Sequence, residues 1–396
     1  MPRFSVLVPT RDRPDLLAFC LEALAAQTFE DFEVIVSDNP TRSPVKDVFE
    51  RWSGPGWRYL RQEKPVAMHD NFERGCAEAR GEYVAVVIDK TILHPSALAV
   101  AHEALRAEPA DIVTWRNDGY TPVDESRDVA RGRFRASAAT VVESLYDPAA
   151  ELTERFANRM RRGTDPVNYV RAKIVFGAYS RRLLDRIVEL TGRVFYPLAP
   201  DYTSMVPACV LADSAVDVGR PLLVSYNSGR SNGRQQSIDP GHARRFVETA
   251  GGPAIVGSLP VPGVYASHHN VVAYDLVSSA ARCPPGTTPP LDFANLLRRV
   301  REDLDAVGWT DPAERDAQYA ILERAEDQHG IDPEPGLPEA RRTTKDVLAE
   351  TLVRFPRTES LAYRAARVPH PAGELFTSPL DAARAADEHY SVGARS

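Results

Sequence analysis

Long apolar runs and the familiar motifs for cofactor, phosphate and metal binding are missing from this sequence. No apolar stretch approaches the roughly 20 residues that a membrane-spanning helix needs, so we expect no membrane span. The N-terminus, MPRFSVLVPT, has no basic segment followed by an apolar one, so we expect no signal peptide and a soluble, cytoplasmic protein. The patterns GxGxxG after the first strand, GxxxxGK with Ser or Thr, HExxH and GxSxG are absent. Their absence argues against dinucleotide-binding, P-loop, zinc-protease and hydrolase templates.

Cysteine is scarce, with four in 396 residues. The cysteines lie far apart without the spacing of a metal site, and two fall within helical patterns. We therefore expect reduced, mostly buried thiols, as in an intracellular protein. They are Cys20, Cys76, Cys209 and Cys283.

The charge is acidic but not concentrated in blocks. The net charge of −7 is spread along the chain, which gives no indication of nucleic-acid binding. With 396 residues, of which 43% are hydrophobic, the chain can bury a sizeable core in one large domain with an appendage, or in two domains.

Short apolar runs alternate with helical patterns in the first quarter of the chain. Residues 4–8, 32–37, 57–60 and 83–88 predict strands, and the segments between them predict helices. This order indicates βαβ units and a mostly parallel central sheet flanked by helices.

Polar residues follow three of these strands. They read PTRD after the first strand, DNPT after the second and DKT after the fourth. Ligands of open α/β sheets bind at the carboxyl ends of the strands. We therefore expect Thr10, Asp38, Asp89 and their neighbours to line one crevice.

The rest of the chain predicts more strands and then helices. We predict a strand at 111–115, an arginine-rich loop at 118–137, a buried helix interrupted by Pro207, a strand at 221–226 and a polar, basic loop at 227–236. From about residue 251, connectors rich in Pro and Gly flank predicted helices at 269–281, 293–307, 312–329 and 345–355. The last 30 residues or so are expected to be a partly ordered tail.

Several segments together resemble the inverting family-2 glycosyltransferases with the GT-A fold. They are FSVLVPTRDRPDLLAFCLEALAAQTFEDFEVIVSDNPT, MHDNFERGCAEARGEYV, GEYVAVVIDKTILHPSAL and APDYTSM, within roughly residues 3 to 230. The resemblance implies a GT-A-like domain at 1–235, with a donor half at about 1–115 and an acceptor half at about 116–235. Residues 236–396 would then be a helical extension that shapes the acceptor site or mediates a homodimer.

The resemblance also implies a nucleotide-sugar donor and a set of residues that hold it. Asp38 would take the base edge, Arg11 would lie near the base or a phosphate, and Asp89 would contact the ribose or sugar. The alternatives from the residues alone are a turn at Asp38 and a helix N-cap at Asp70. The full set implied is Pro9, Thr10, Arg11, Asp38, Asn39, Asp70, Asn71, Asp89, Lys90, Arg230 and Arg234.

The segment that matches the family's acidic, metal-binding motif reads Asp89-Lys90-Thr91. The family ligates Mg²⁺ or Mn²⁺ with the last acid, where this sequence has Thr91, and a hydroxyl is a poor sole anchor for a hard cation. Lys90 could replace part of the metal's charge on the leaving diphosphate, or simply be solvated. Alternatively, a metal binds through Asp89 with help from a histidine, namely His94, His242, His268 or His269. A third alternative is a degenerate site in a binding or scaffold protein.

The family's catalytic base is an acid just before a helix, and Asp201 in PDYT occupies the matching place. Inversion needs a carboxylate within hydrogen-bond reach of the acceptor hydroxyl. From the residues alone, Asp201 could instead be a helix N-cap. The acceptor would be a hydroxyl-bearing small molecule or saccharide.

Overall fold

A computed structural model of the chain describes residues 1–40, 45–137, 144–158, 169–229, 231, 235, 239–331 and 373–393. The strands, numbered in chain order, are β1 Phe4–Thr10, β2 Phe32–Asp38, β3 Trp57–Arg61, β4 Tyr83–Val86, β5 Thr91–Leu93, β6 Ile112–Asp124, β7 Asp128–Arg135, β8 Ser144–Tyr146, β9 Gly177–Ser180, β10 Ala215–Tyr226 and β11 Leu375–Phe376. The helices are α1 Pro14–Ala25, α2 Lys46–Trp52, α3 Met68–Ala77, α4 Ala97–Ala107, α5 Pro148–Phe156, α6 Arg181–Thr191, α7 Pro200–Leu211, α8 Pro240–Gly251, α9 Ile255–Ser258, α10 His268–Ala280, α11 Phe293–Ala306, α12 Pro312–His329 and α13 Pro379–Gly393.

The first four strands pair in parallel, in the order β4-β1-β2-β3. In β1 the side chains of Phe4, Val6 and Val8 enter one core, whereas Leu7 enters the other. This alternation with a period of two buries both faces of the strand, as expected beneath helices on both sides. Helices α1, α2 and α4 cover one face, and α3, α5, α6 and α7 cover the other.

The sheet as a whole is mixed, which corrects the mostly parallel sheet that we expected. Among the described strands, four pairings are parallel and six are antiparallel. The antiparallel pairings come from the part of the sheet beyond β4, where β9 lies between β4 and β6. The α/β class and the flanking helices are confirmed.

The arginine-rich segment 118–137 is not a loop, contrary to our expectation. It contains the second half of β6 and the whole of β7, which pair as an antiparallel hairpin. In β7 the buried residues Gly132 and Phe134 alternate with exposed arginines at 131, 133 and 135. This alternation is hard to recognise in the sequence, because Phe134 is the one large apolar side chain among residues 131–135 and arginines occupy three of the other positions.

The C-terminal residues that the structure describes pack onto this sheet instead of forming a tail. Strand β11 pairs with β7, and Leu380 and Tyr390 of α13 are buried with Tyr120 and Phe134 of the hairpin. Helix α7 runs through Pro207 without interruption. The predicted helix at 345–355 lies outside the described residues, and the domain boundary at 235 stays a prediction.

The helical extension packs against the first part of the chain through α10. Its own core joins α10, α11 and α12, while Leu276 of α10 enters the core beneath α7. No helix among the described residues is long and apolar enough to cross a membrane. All four cysteines are free and buried, as the sequence predicted.

Candidate functional site

Three strand ends meet at one edge of the sheet, as the sequence predicted. Thr10 and Asp38 are register partners at the ends of β1 and β2. The Thr10 hydroxyl donates a hydrogen bond of 2.9 Å to Oδ2 of Asp89, which follows β4. Parallel neighbours place their carboxyl ends together, so residues far apart in sequence form one cluster.

Asp89 is fully buried and already has a cationic partner. Nε of Arg13 lies 3.1 Å from the same Oδ2 atom, whereas Oδ1 is buried without a hydrogen-bond partner among the described residues. Burial raises the pKa of the Asp89 carboxyl, and the charge of Arg13 and the Thr10 hydrogen bond oppose that rise. Sequence reasoning missed Arg13, although it stands directly before the helix that follows the first strand end.

Asp38 is buried at the end of β2 and is held by the neighbouring strand. Tyr59 donates a hydrogen bond of 2.5 Å and Arg61 one of 2.9 Å to its Oδ2 atom. Burial and the Asp38 hydrogen bond raise the pKa of Tyr59 to about 12, so its hydroxyl stays a donor. Neither Tyr59 nor Arg61 stood out in the sequence, because the register of β3 alone brings them beside Asp38.

Asn39 and Asn71 were predicted to contact the nucleotide-sugar donor, but the amide oxygen and the amide nitrogen of both side chains are hydrogen-bonded to other protein groups. Asn39 exchanges hydrogen bonds with the backbone of Val66, at 2.9 and 3.0 Å. Asn71 is buried and exchanges 2.9 Å hydrogen bonds with Ser37. Both asparagines hold the loops around the strand ends.

The other predicted donor contacts are spread over the same edge. Pro9 is buried within β1, and Arg11 is exposed in the turn after it. Asp70 lies in the first turn of α3, whose N-cap is Ala67, and it accepts a 2.7 Å hydrogen bond from Arg193. Arg230 and Arg234 lie outside the described residues.

The Asp-Lys-Thr segment turns from β4 into β5. Lys90 is partly exposed, and its carbonyl accepts a hydrogen bond from the backbone of Tyr226. Thr91 is buried and begins β5, where it pairs with Ser225 of β10. The basic loop after Tyr226 starts from a fixed point, because Glu125 of the hairpin turn accepts hydrogen bonds from Ser228 and Gly229.

Two of the four histidines considered as metal ligands lie beside a carboxylate other than Asp89. His94 lies 3.4 Å from Asp118 and stacks on Tyr390 of α13. His242 lies in the first turn of α8, and His269 of α10 pairs with Asp303. His268 precedes His269 on the same helix. Among the described residues, no group of three or more His, Cys, Asp or Glu side chains could hold a metal ion.

Asp201 begins α7 but is not its N-cap, which is Ala199. Its carboxylate is partly exposed and lies 3.6 Å from Nζ of Lys173, a side chain that is fully buried. Lys173 precedes the short 3₁₀ turn that leads into β9. Because β9 runs antiparallel to β4, its first residues adjoin the carboxyl end of β4. The start of β9 thus places Lys173 and Asp201 toward the edge that carries Asp89.

Comparison with known proteins matches the first part of the chain to one family model. Residues 5–186 match the family model described as Glycosyl transferase family 2. The match contains Thr10, Asp38, Asp89 and Lys173 and ends before Asp201.

Three curated bacterial proteins match shorter stretches. The GalNAc(5)-diNAcBac-PP-undecaprenol beta-1,3-glucosyltransferase of Campylobacter jejuni is 32% identical over 126 residues, which are 31% of this chain and 37% of that protein. The O-antigen biosynthesis protein RfbC of Myxococcus xanthus is 34% identical over 98 residues, or 24% of this chain and 8% of that protein. Glycosyltransferase GlyG of Streptococcus pneumoniae is 23% identical over 122 residues, or 30% and 40%. The chain spans less than half the length of each of these relatives.

Among solved structures, S. aureus TarS 1-349 in complex with UDP-GlcNAc is similar, with a TM-score of 0.47 and 13% identity. The alignment covers 84% of this chain and 93% of that chain. The α/β architecture and the family match agree with the GT-A-like fold class predicted from the sequence. Residues 5–186 are thus similar to the glycosyl transferase family 2 proteins, and the cluster of Thr10, Asp38 and Asp89 lies inside the matched segment.

Proposed function

We propose that the chain transfers a sugar from a nucleotide-sugar donor to a hydroxyl-bearing acceptor, a small molecule or a saccharide, with inversion at the anomeric carbon. The observation that carries the proposal is the meeting of Thr10, Asp38 and Asp89 at one sheet edge of a family-2 domain. Asp201 supplies a partly exposed carboxylate at the start of a nearby helix. A donor pocket and a single base are what a direct displacement requires.

The nucleoside end of the donor lies at the ends of β2 and β3 in this proposal. Asp38 is buried, but its partner Arg61 is partly exposed and extends the polar surface outward. Tyr59 and Arg61 orient the Asp38 carboxylate, so that its remaining acceptor capacity faces a base or ribose. Arg11, exposed on the next turn, lies near the base or a phosphate.

In this proposal, side-chain cations bind the diphosphate of the donor. The residues present fit a divalent cation poorly, because Asp89 is the one carboxylate of the Asp-Lys-Thr segment and its Oδ2 atom is already held by Arg13 and Thr10. Mg²⁺ and Mn²⁺ favour several oxygen ligands, with carboxylates prominent among them. Arg13 and Lys90 instead bring two positive charges to the place where charge develops on the leaving group.

Asp201 is the proposed base. A carboxylate at this position takes the proton of the acceptor hydroxyl while that oxygen attacks the anomeric carbon and the diphosphate leaves. One carboxylate is sufficient, because direct displacement forms no covalent sugar–enzyme intermediate.

The test is a panel of nucleotide sugars, UDP-glucose, UDP-GlcNAc and GDP-mannose among them, incubated with the full chain. We expect release of nucleoside diphosphate from at least one donor, and we expect that release to survive EDTA because the cations are side chains. The Asp201→Asn variant should lose at least 100-fold in turnover, on the order expected for a general base, while its donor affinity stays within about twofold.

Each result decides a different part of the proposal. Turnover abolished by EDTA refutes the side-chain cations, and full turnover in Asp201→Asn refutes the assigned base. Donor binding without turnover by the unsubstituted chain favours a binding or scaffold protein. When an acceptor is found, proton NMR of the product reports whether the anomeric configuration is inverted.

A further inference from the structure

Lys173 is a buried cation that the proposed reaction does not yet use. Its side chain is fully buried, and Nζ has no hydrogen-bond partner among the described residues. The ammonium lies 3.7 Å from the ring centroid of Tyr169 and 3.8 Å from that of Tyr202. Burial lowers the pKa of Lys173, while Tyr169 and Asp201 oppose that change.

Packing alone does not account for a lysine at this place. A methionine or leucine would fill the space between the two rings without the desolvation penalty of an ammonium. The faces of Tyr169 and Tyr202 stabilise a cation, and the Asp201 carboxylate lies 3.6 Å from the ammonium. The surroundings of Lys173 thus hold a positive charge in place against Asp201.

Lys173 is the main counter-charge of Asp201. Among the described residues, Lys173 is the cation that forms an ion pair with Asp201. Tyr202 on α7, Tyr179 on β9 and Asp275 on α10 also interact with Asp201, while Tyr169 and Arg155 of α5 act on Lys173 and Tyr202. Burial raises the pKa of Tyr179, Tyr202 and Asp275 well above their ordinary values and so favours their neutral forms. Phenol and carboxyl groups carry no positive charge in either form, so none of the three is a counter-charge for Asp201.

We propose that Lys173 is a positioning residue for Asp201: held between the rings of Tyr169 and Tyr202, its ammonium fixes the orientation of the carboxylate for proton abstraction. The inference rests on the proposed function, because it assigns Lys173 a task only if Asp201 is the base. Lys173 does not touch the substrate, since its side chain is closed off from the surface.

The test compares Lys173→Met with Arg171→Met. Arg171 lies two residues away and pairs with Glu151 and Asp217, so its replacement also removes a cation from this region but leaves the Asp201 pair intact. The readouts are kcat and the KM for the donor in nucleoside diphosphate release, measured with the donor that the unsubstituted chain turns over. A misoriented base slows the chemical step and leaves donor binding unchanged. We expect kcat to fall about tenfold near neutral pH, with the KM for the donor within twofold.

Arg171→Met should lower the melting temperature yet keep kcat within about twofold of the unsubstituted chain. An equal fall of kcat in both variants, or an unchanged kcat in Lys173→Met, overturns the inference. Should Lys173→Met fail to fold, Lys173→Gln serves as the second variant with the same expectation. Loss of turnover in Asp201→Asn with an unchanged kcat in Lys173→Met leaves the base standing and removes the role of the lysine. Full turnover in Asp201→Asn removes both.

Discussion

Asp89 is a buried carboxylate with two side-chain partners on one of its oxygen atoms. It is fully buried, and both Thr10 and Arg13 contact its Oδ2 atom. The sequence marked Asp89 because it ends a buried strand, and Thr10 because it ends another. Arg13 could not be assigned in the same way, since only the turn geometry after β1 determines which of Arg11 and Arg13 points inward.

Replacing Arg13 by Met should destabilise the protein in a pH-dependent manner. Removing one member of a buried ion pair leaves the other charge uncompensated, and we expect the free energy of unfolding to fall by about 2–4 kcal/mol at pH 8. The folded pKa of Asp89 is raised above its unfolded value, so the folded state binds more protons and its stability falls as pH rises through the window between the two pKa values. The loss in Arg13→Met should therefore shrink as pH decreases toward 5.

Urea unfolding at pH 5 and pH 8 measures this effect. Arg11→Met, a change of an exposed side chain on the same turn, should alter the free energy by less than about 0.5 kcal/mol. Adding Asp89→Asn to Arg13→Met should restore most of the loss at pH 8. An equal loss at both pH values would contradict the proposed cause.

At the scale of elements, the sequence predicted strands well where both faces are apolar and poorly where one face is charged. Strands β1 to β4 were located within a few residues. The hairpin of β6 and β7 was missed because its arginines dominate the composition, and α13 was missed because alanines pack without showing a strong apolar pattern. The hairpin and α13 bury their apolar side chains against each other, so the local sequence pattern of neither element was sufficient to predict it.

Leu380→Ala tests whether α13 belongs to the core. Leu380 is buried in the cluster of the hairpin and α13, so truncation should lower the free energy of unfolding by about 2–4 kcal/mol. Val123→Ala, on the exposed part of the hairpin, should change it by less than about 0.5 kcal/mol. Chemical denaturation compares the two, and equal stabilities would mean that residues 373–393 act as a tail after all.

At the scale of the molecule, a buried carboxyl group of the helical extension is hydrogen-bonded to the backbone at the start of α7. Asp275 of α10 accepts hydrogen bonds from the backbone of Leu198 at 2.6 Å and of Ala199 at 2.9 Å. Leu198 and Ala199 directly precede the helix that carries Asp201. The sequence predicted the extension as a separate part of the chain. Neither segment alone could reveal a hydrogen bond between Leu198 and Asp275, which are 77 positions apart.

Asp275→Asn should loosen this link. An amide offers one acceptor oxygen where the carboxyl group offers two, so one buried N–H loses its partner at a cost of about 1–3 kcal/mol. We expect a lower free energy of unfolding and a lower rate of nucleoside diphosphate release, since the start of α7 is less firmly held. Val277→Ala, an exposed change on the same helix, is the matched control in both assays. Unchanged stability in Asp275→Asn would show that the link is dispensable.

The four buried thiols have a practical consequence. Burial raises the pKa of Cys20, Cys76, Cys209 and Cys283, and alkylating reagents attack the exposed thiolate. A cysteine placed at an exposed position such as Val123 would therefore react with a fluorescent maleimide long before the native four. The folded chain is in this respect a ready background for single-site labelling, by which the hairpin could be followed as a donor binds.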